Sequence, residues 1–242
     1  MPGVIPQLGA SPEAPFPPVA QAAIEPDGLL AWGGDLAPQR LLSAYRHGIF
    51  PWYAHPKEIL WWSPSRRCVL AVEALHISRR LERTLRRGRF ELTADEHFAE
   101  VIQGCIETRP STWILPEMKR AYEHLHGLGY AHCVAAWRDG QLAGGVYGVS
   151  LGGLFFAESM FHYETDASKV ALVGLCRFLE AQGHEWLDCQ FQTPHLESLG
   201  AVLVSRPDFM QRLERLLTRP DLRGTWTRRF AETRTDGSKR RT

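Results

Sequence analysis

The spacing of apolar positions changes character along the chain. In LAPQRLLSAYRHG, Leu41, Leu42 and Tyr45 recur at helical intervals, with Asp35 as the expected N-cap, Pro38 in the first turn and Gly48 as the stop. The aromatic stretch that follows ends in WWSPSRR, so a small N-terminal domain is expected over residues 1–63. From Cys68 a strand, CVLAVE, leads into HISRRLERTLRRG, where Ile77, Leu81 and Leu85 share a stripe and Gly88 ends it. Two further helices are predicted. DEHFAEVIQGCIET sets Phe98, Val101, Ile102 and Cys105 on one face, and PEMKRAYEHLHGLG opens with Pro116. Then the period drops to two: AHCVAAW, QLAGGVYGVS and GLFFAESMF, joined by RDG and LGG turns, read as an antiparallel meander. A helix over 167–181, the strand EWLDCQF, a short helix at HLESLG, the strand AVLVS and the helix PDFMQRLERLLT complete the series.

This order predicts an α+β fold: the small N-terminal domain, then over 64–226 an acetyltransferase-like domain whose mixed, mostly antiparallel sheet is flanked by helices. Residues 227–242, TRRFAETRTDGSKRRT, are polar and expected to form a disordered tail.

Composition narrows the classes. A net charge of +1 with 44% hydrophobic residues describes an ordinary globular protein, so any nucleic-acid site must be a local patch. The five cysteines lie far apart with no CxxC pair, which argues against zinc or a disulfide framework and fits a reducing cytoplasm. No metal and no cofactor are expected. The N-terminus lacks a basic region followed by an apolar core, and no run approaches the roughly 20 apolar residues of a membrane span. No membrane association is expected.

Two apolar strands carry polar residues. In EWLDCQ, alternation puts Asp188 and Gln190 on one face and Cys189 on the other. In FFAESMF it groups Phe156, Glu158 and Met160 against Phe155, Ala157 and Ser159. Taken alone, such groups are most often tied into structural hydrogen bonds, and Glu158 into an ion pair with Lys169. The helix at HISRRLERTLRRGR presents Arg79, Arg80, Arg83, Arg86, Arg87 and Arg89 against the single acid Glu82. That excess suits a phosphate-binding face that does not read sequence.

Several stretches in order, GLLAWGGDL, RLLSAYRHGIFPWY, WWSPSRR, LHISR, TWI, GGVYGV, ESMF, ASKVAL and DCQ, resemble the leucyl/phenylalanyl-tRNA–protein transferases. They run from Gly28 to about Gly200. The resemblance implies transfer of Leu or Phe, with Met a further possibility, from aminoacyl-tRNA to proteins beginning with Arg or Lys, marking them for N-degron degradation. It implies Asp188 and Gln190 as the catalytic pair and Glu158 as the acid that receives the cationic acceptor. It further implies Trp52 and Trp113 as the aromatics for the terminal adenosine, where stacking is worth roughly 1–3 kcal/mol per base. The aminoacyl pocket is assigned by resemblance to Val146, Phe155, Met160, Leu172, Leu175, Leu179 and Leu187. Leu172, Leu175 and Leu179 also fall at helical spacing, whereas strict alternation turns Leu187 away from Asp188. Ala157 departs from the family, which usually has Gly before ESMF, and its methyl would narrow the site.

The chemistry asks for little machinery. An aminoacyl ester is already activated, and an α-amino group of pKa roughly 7.7–8.0 is partly neutral near pH 7. An Asp of pKa about 3.9 is a weak base, so Asp188 is expected to orient Gln190, whose amide oxygen holds the amine as it gains charge. The protein is expected to act as a monomer. A CoA-dependent acyltransferase of the same fold is the first alternative, but FHYETDASK offers no glycine to a pyrophosphate and carries Glu164 and Asp166. A non-catalytic RNA-binding module is the second, and it leaves Glu158, Asp188 and Gln190 without a role.

Overall fold

The computed structural model describes residues 4–55 and 58–239. The elements, in order, are β1 (Gln7–Leu8), β2 (Leu29–Gly33), α1 (Pro38–Arg46), β3 (Phe50–Pro51), β4 (Leu60–Trp62), β5 (Arg66–Ala71), α2 (Arg79–Arg86), β6 (Glu91–Ala94), α3 (Phe98–Glu107), α4 (Pro116–Gly127), β7 (Ala131–Arg138), β8 (Gln141–Leu151), β9 (Leu154–His162), α5 (Ala167–Ala181), β10 (Trp186–Gln190), α6 (Pro194–Ser198), β11 (Val202–Ser205), α7 (Arg206–Leu217) and α8 (Thr227–Lys239). Strands β1 to β4 form a small sheet in the order β1-β2-β4-β3, and the rest form a seven-stranded sheet, β11-β5-β10-β9-β8-β7-β6. Within the large sheet only β9 and β10 run parallel; the remaining neighbours are antiparallel. The α+β expectation is met. No helix among the described residues is long and apolar enough to cross a membrane.

Each face of the large sheet has its own core. On one side α3, α4, α7 and α1 pack over Val69, Tyr147, Val149, Phe156 and Phe161; on the other α5, with α2 and α8 beside it, covers Cys68, Leu70, Val146, Phe155 and Leu187. Helix α1 crosses from the small sheet to α4, so Tyr45 is fully buried beneath the large one. Gly48 turns the chain out of α1 at φ +70, and a Cβ there would meet Met210 and Phe209 of α7.

Four expectations need correction. Ala37, not Asp35, is the N-cap of α1; Asp35 lies two residues earlier, accepting the Ala37 N–H at 2.7 Å and pairing with buried Arg40 at 3.3 Å. Strand β5 begins at Arg66, two residues before the apolar run. The sequence reading passes over β6, a four-residue edge strand paired with β7, because so short a run carries almost no periodic signal. The disordered tail expected over 227–242 does not hold for its described part, and residues 240–242 lie outside the described residues. Thr227–Lys239 is helical, with Phe230 buried one turn after the fully buried Trp226, so two rings four residues apart anchor a polar segment to the α5 side.

Two one-residue irregularities sit in adjacent strands. In β9 the register passes from Phe156↔Val149 and Ala157↔Gly148 to Ser159↔Tyr147 and Met160↔Val146, so Glu158 is the extra residue. Ser159 thereby joins the Tyr147 side and Met160 the Val146 side, opposite to the grouping that strict alternation predicts. In β10, Asp188 pairs with Val69 and Gln190 with Cys68, with a shift between them.

Candidate active site

Asp188 is fully buried, and its charge is met by an equally hidden cation. Arg67 of β5 donates Nε to Oδ1 at 2.7 Å and Nη2 to Oδ2 at 2.6 Å, a bidentate fork. The guanidinium lies over the Phe50 ring at 4.4 Å and the Phe209 ring at 4.8 Å, and Nη1 reaches the Gly48 carbonyl at 3.2 Å. Asp188 Oδ1 also accepts the backbone N–H of Gln190 at 3.0 Å, while Gln190 Nε2 donates to the Asp188 carbonyl at 3.3 Å. Gln190 is held at φ +57, a conformation that costs a non-glycine residue about 1–3 kcal/mol and persists only when its surroundings enforce it. The shared face expected for the pair is therefore overturned. The bulge aligns Asp188 with Val69 on the α3 side and Gln190 with Cys68 on the α5 side, and the carboxylate holds Gln190 by its backbone.

Glu158 stands next door, on the bulge of β9. Its Oε1 accepts from Tyr45 at 2.7 Å and its Oε2 from Tyr122 at 2.7 Å, while the two phenol oxygens approach to 2.5 Å. Lys169, the partner the structural reading proposed, instead lies 4.0 Å from Asp166. Desolvation is the main reason the Glu158 carboxyl is pushed up to about 7, against the lowering effect of the two phenols. The nearby Asp188 charge raises it further and Arg67 offsets part of that. Burial and the same carboxylate raise the Tyr45 and Tyr122 hydroxyls well above their ordinary range. Proton counting agrees. With both phenol protons directed at the carboxylate, the contact between the two phenol oxygens has none; a carboxyl that carries the third proton donates it to one phenol, which frees that phenol to donate to the other.

Trp52 is 42% exposed and packs edge-on against Trp62 and Phe191, with centroids 5.7 and 5.4 Å away. Because Phe191 directly follows Gln190, this exposed aromatic adjoins the end of β10. Trp113 is half-buried in the link between α3 and α4, packed against the α3-side core. Val146, Phe155, Leu172, Leu175, Leu179 and Leu187 belong to one buried cluster on the α5 side, with Met160 and Ala157 packed against it. Strict alternation separates Phe155 from Met160; the Glu158 bulge reunites them. Leu187 faces that cluster, away from Asp188, as alternation along the strand expects.

Helix α2 is capped by Ser78, whose side chain accepts the Leu81 N–H at 3.2 Å, and it buries Leu81 against Val170 and Val173. Arg79, Arg80, Arg83, Arg86, Arg87 and Arg89 are all exposed, and Arg80 reaches Asp166 at 3.5 Å.

Sequence reasoning missed Arg67, Tyr122 and Phe191, and took Tyr45 for core. A signal existed for Arg67: it directly precedes an apolar strand run and, two residues before Val69, shares its face.

The family model described as leucyl/phenylalanyl-tRNA protein transferase matches residues 69–214, and the model of that protein's N-terminal domain matches residues 34–65. The chain belongs to this transferase family. A leucyl/phenylalanyl-tRNA–protein transferase of Nitratidesulfovibrio vulgaris is 53% identical over 87% of this chain and 91% of its own. One from Xanthomonas axonopodis pv. citri is 48% identical over 93% and 92%. Among solved structures, an aminoglycoside acetyltransferase from an uncultured soil sample is 14% identical with a TM-score of 0.35, covering 52% of this chain and 88% of that one. L-PGS from Bacillus licheniformis is 10% identical with a TM-score of 0.39, covering 78% and 73%.

Proposed function

We propose that the protein transfers Leu or Phe from aminoacyl-tRNA to the α-amino group of proteins beginning with Arg or Lys, acting as a monomer in the cytoplasm. The observation that carries this reading, beyond family membership, is that two acids in neighbouring strands, Asp188 fully buried and Glu158 half-buried, are given different partners. Asp188 has a guanidinium, whereas Glu158 has only neutral phenols. The guanidinium fork gives Asp188 a built-in cationic partner, and the lack of one hydrogen-bonded to Glu158 among the described residues suits an acid that receives a cationic ligand. In this reading residues 1–63 form a small domain that brings Trp52 to the terminal adenosine, and residues 64–226 form the catalytic domain.

The reaction joins the amine nitrogen to the ester carbonyl carbon and breaks the bond from that carbon to the ribose oxygen. The ammonium gives up two protons in all: one is released to free the attacking lone pair, and the second ends on the departing ribose oxygen, which leaves as a hydroxyl. Gln190 is the group that touches the amine: its nitrogen is committed to the Asp188 carbonyl, so its oxygen is the acceptor for the amine as charge develops. Asp188 is a positioning residue, acting through the Gln190 backbone. The α5-side cluster receives the Leu or Phe side chain, and the α2 arginines hold phosphates of the acceptor stem. A CoA-dependent reaction fits less well, because Asp166 occupies the N-cap of α5 and Glu164 lies beside it.

Incubation with Leu-tRNA and a peptide beginning with Arg, followed by mass spectrometry, tests the reading. The expected product is the peptide extended by one Leu, and a peptide of unchanged mass would overturn it.

A further inference from the structure

We propose that Trp226, at the entry to α8, is a specificity-determining residue that sets the depth of the aminoacyl pocket by backing Phe155 and Phe178. The proposal rests on the pocket reading above and adds a segment beyond residues 69–214, the span of the main family match.

Trp226 is held from several directions. Its backbone N–H donates to Asp95 Oδ2 at 2.7 Å, and Thr227 Oγ1 donates to the Ala94 carbonyl at 2.9 Å. Asp95 itself sits in the left-handed region at φ +63, accepts the Cys133 N–H at 3.1 Å and meets His132 Nδ1 at 2.8 Å. The His132 ring stacks on the indole at 3.7 Å with the planes 5° apart. The indole N–H donates to the Leu222 carbonyl at 3.0 Å. With its backbone and both ends of the ring system so constrained, the fully buried indole is a rigid surface.

What that surface supports is the pocket wall. Trp226 lies 4.9 Å from the Phe178 ring and 5.9 Å from the Phe155 ring. Phe178 immediately precedes Leu179 on α5 and also meets Phe230 at 5.5 Å. Phe155 has little freedom on its other side: a Cβ on Gly148 would stand 2.6 Å from its Cε1. A ring confined by the backbone of β8 moves toward the space where Trp226 stands when that space opens. Interiors transmit such changes in volume because they are close-packed.

The test is a competition between Leu-tRNA and Phe-tRNA for one Arg-starting peptide, scored as the ratio of Phe to Leu product. Both donors draw on the same enzyme, so a lower folded fraction scales both products alike and leaves the ratio readable. Removing part of the indole in Trp226→Leu should deepen the site and raise the Phe:Leu ratio about tenfold, the low end of what one methylene of pocket shape achieves. Trp226→Phe should raise it less. Met160→Ala, a change in the wall itself, serves as the reference. A shifted ratio in Met160→Ala with an unchanged ratio in both Trp226 variants overturns the proposal and spares the pocket. An unchanged ratio in all three overturns the pocket reading and this proposal with it.

Discussion

The two sides of the large sheet share the same strands and are built for different tasks. On the α3 side, buried Arg67, Asp188, Tyr45 and Tyr122 and half-buried Glu158 bring charges and hydroxyls together, and each has a named partner. On the α5 side, Val146, Phe155, Leu172, Leu175, Leu179 and Leu187 present carbon. The first side is sensitive to charge and proton count, the second to volume. Both depend on the bulges in β9 and β10, which divert residues from one side to the other. The difference predicts distinct phenotypes: altered pH dependence, rate and acceptor choice on the polar side, altered donor choice on the apolar side.

The most severe way to break the polar side is Arg67→Met. It leaves the Asp188 carboxylate buried without its cation, a change that typically costs about 3–5 kcal/mol. Urea unfolding at pH 7 should show that loss. Arg67→Met combined with Asp188→Asn should recover much of it, because neutral groups of similar shape fill the space, while transfer stays slow because an uncharged amide oxygen without the Arg67 fork holds the Gln190 N–H less firmly. Equal stability of the single and double variants would mean that the pair is not a buried charge pair in solution.

Gln190→Ala sharpens the division between the two sides. It removes the amide proposed to meet the amine and leaves in place every side chain proposed to line the aminoacyl pocket. Single-turnover transfer should fall by about two orders of magnitude, as for loss of one preorganised transition-state contact, with Leu-tRNA affinity within about twofold of the parent. An equal loss of binding and rate would move Gln190 to donor recognition.

Glu158→Gln tests the proton count. The parent carboxyl titrates at about 7 when folded, above the roughly 4.3 of an exposed Glu, so the folded state holds more protons between those values. Its contribution is fully present below about pH 4.3 and is lost as pH rises toward 7. Parent stability should fall across that window, and the variant, which keeps the phenol hydrogen bonds but cannot titrate, should fall less. Transfer to peptides starting with Arg or Lys should drop about 10- to 100-fold through lost charge-assisted hydrogen bonds, with Leu-tRNA binding retained. Identical pH profiles for parent and variant would remove Glu158 from the titration.

The sequence made most elements legible because their signals are local. Gly-containing turns located the meander, and repeated apolar positions identified α3 and α4. The motif stretches that resemble the family were legible in the same way. The bulges were not: an extra residue in one strand is defined by its neighbour, and alternation within a single strand cannot register it. Arg67 and Tyr122 were hidden for a related reason, since their partners Asp188 and Glu158 lie 121 and 36 positions away. The helix after Trp226 depends on two rings finding α5, while its sequence is otherwise polar and without an apolar stripe.

The mildest prediction concerns α2, which lies on the α5 side but faces outward. Arg79, Arg80 and Arg83 are exposed, so replacing all three with Glu should barely affect folding and should weaken tRNA binding through lost phosphate contacts. Each contact releases close to one counterion, so the plot of log affinity against log salt should flatten by roughly 2 to 3. The three positions are not equivalent. Arg80 is already drawn to Asp166, whereas Arg79 and Arg83 have no ion-pair partner among the described residues. Single reversals at Arg79 or Arg83 should therefore flatten the slope more than the reversal at Arg80. Equal slopes for the parent and the triple variant would make the helix an ordinary solvated surface and leave donor recognition to the aromatics and the pocket.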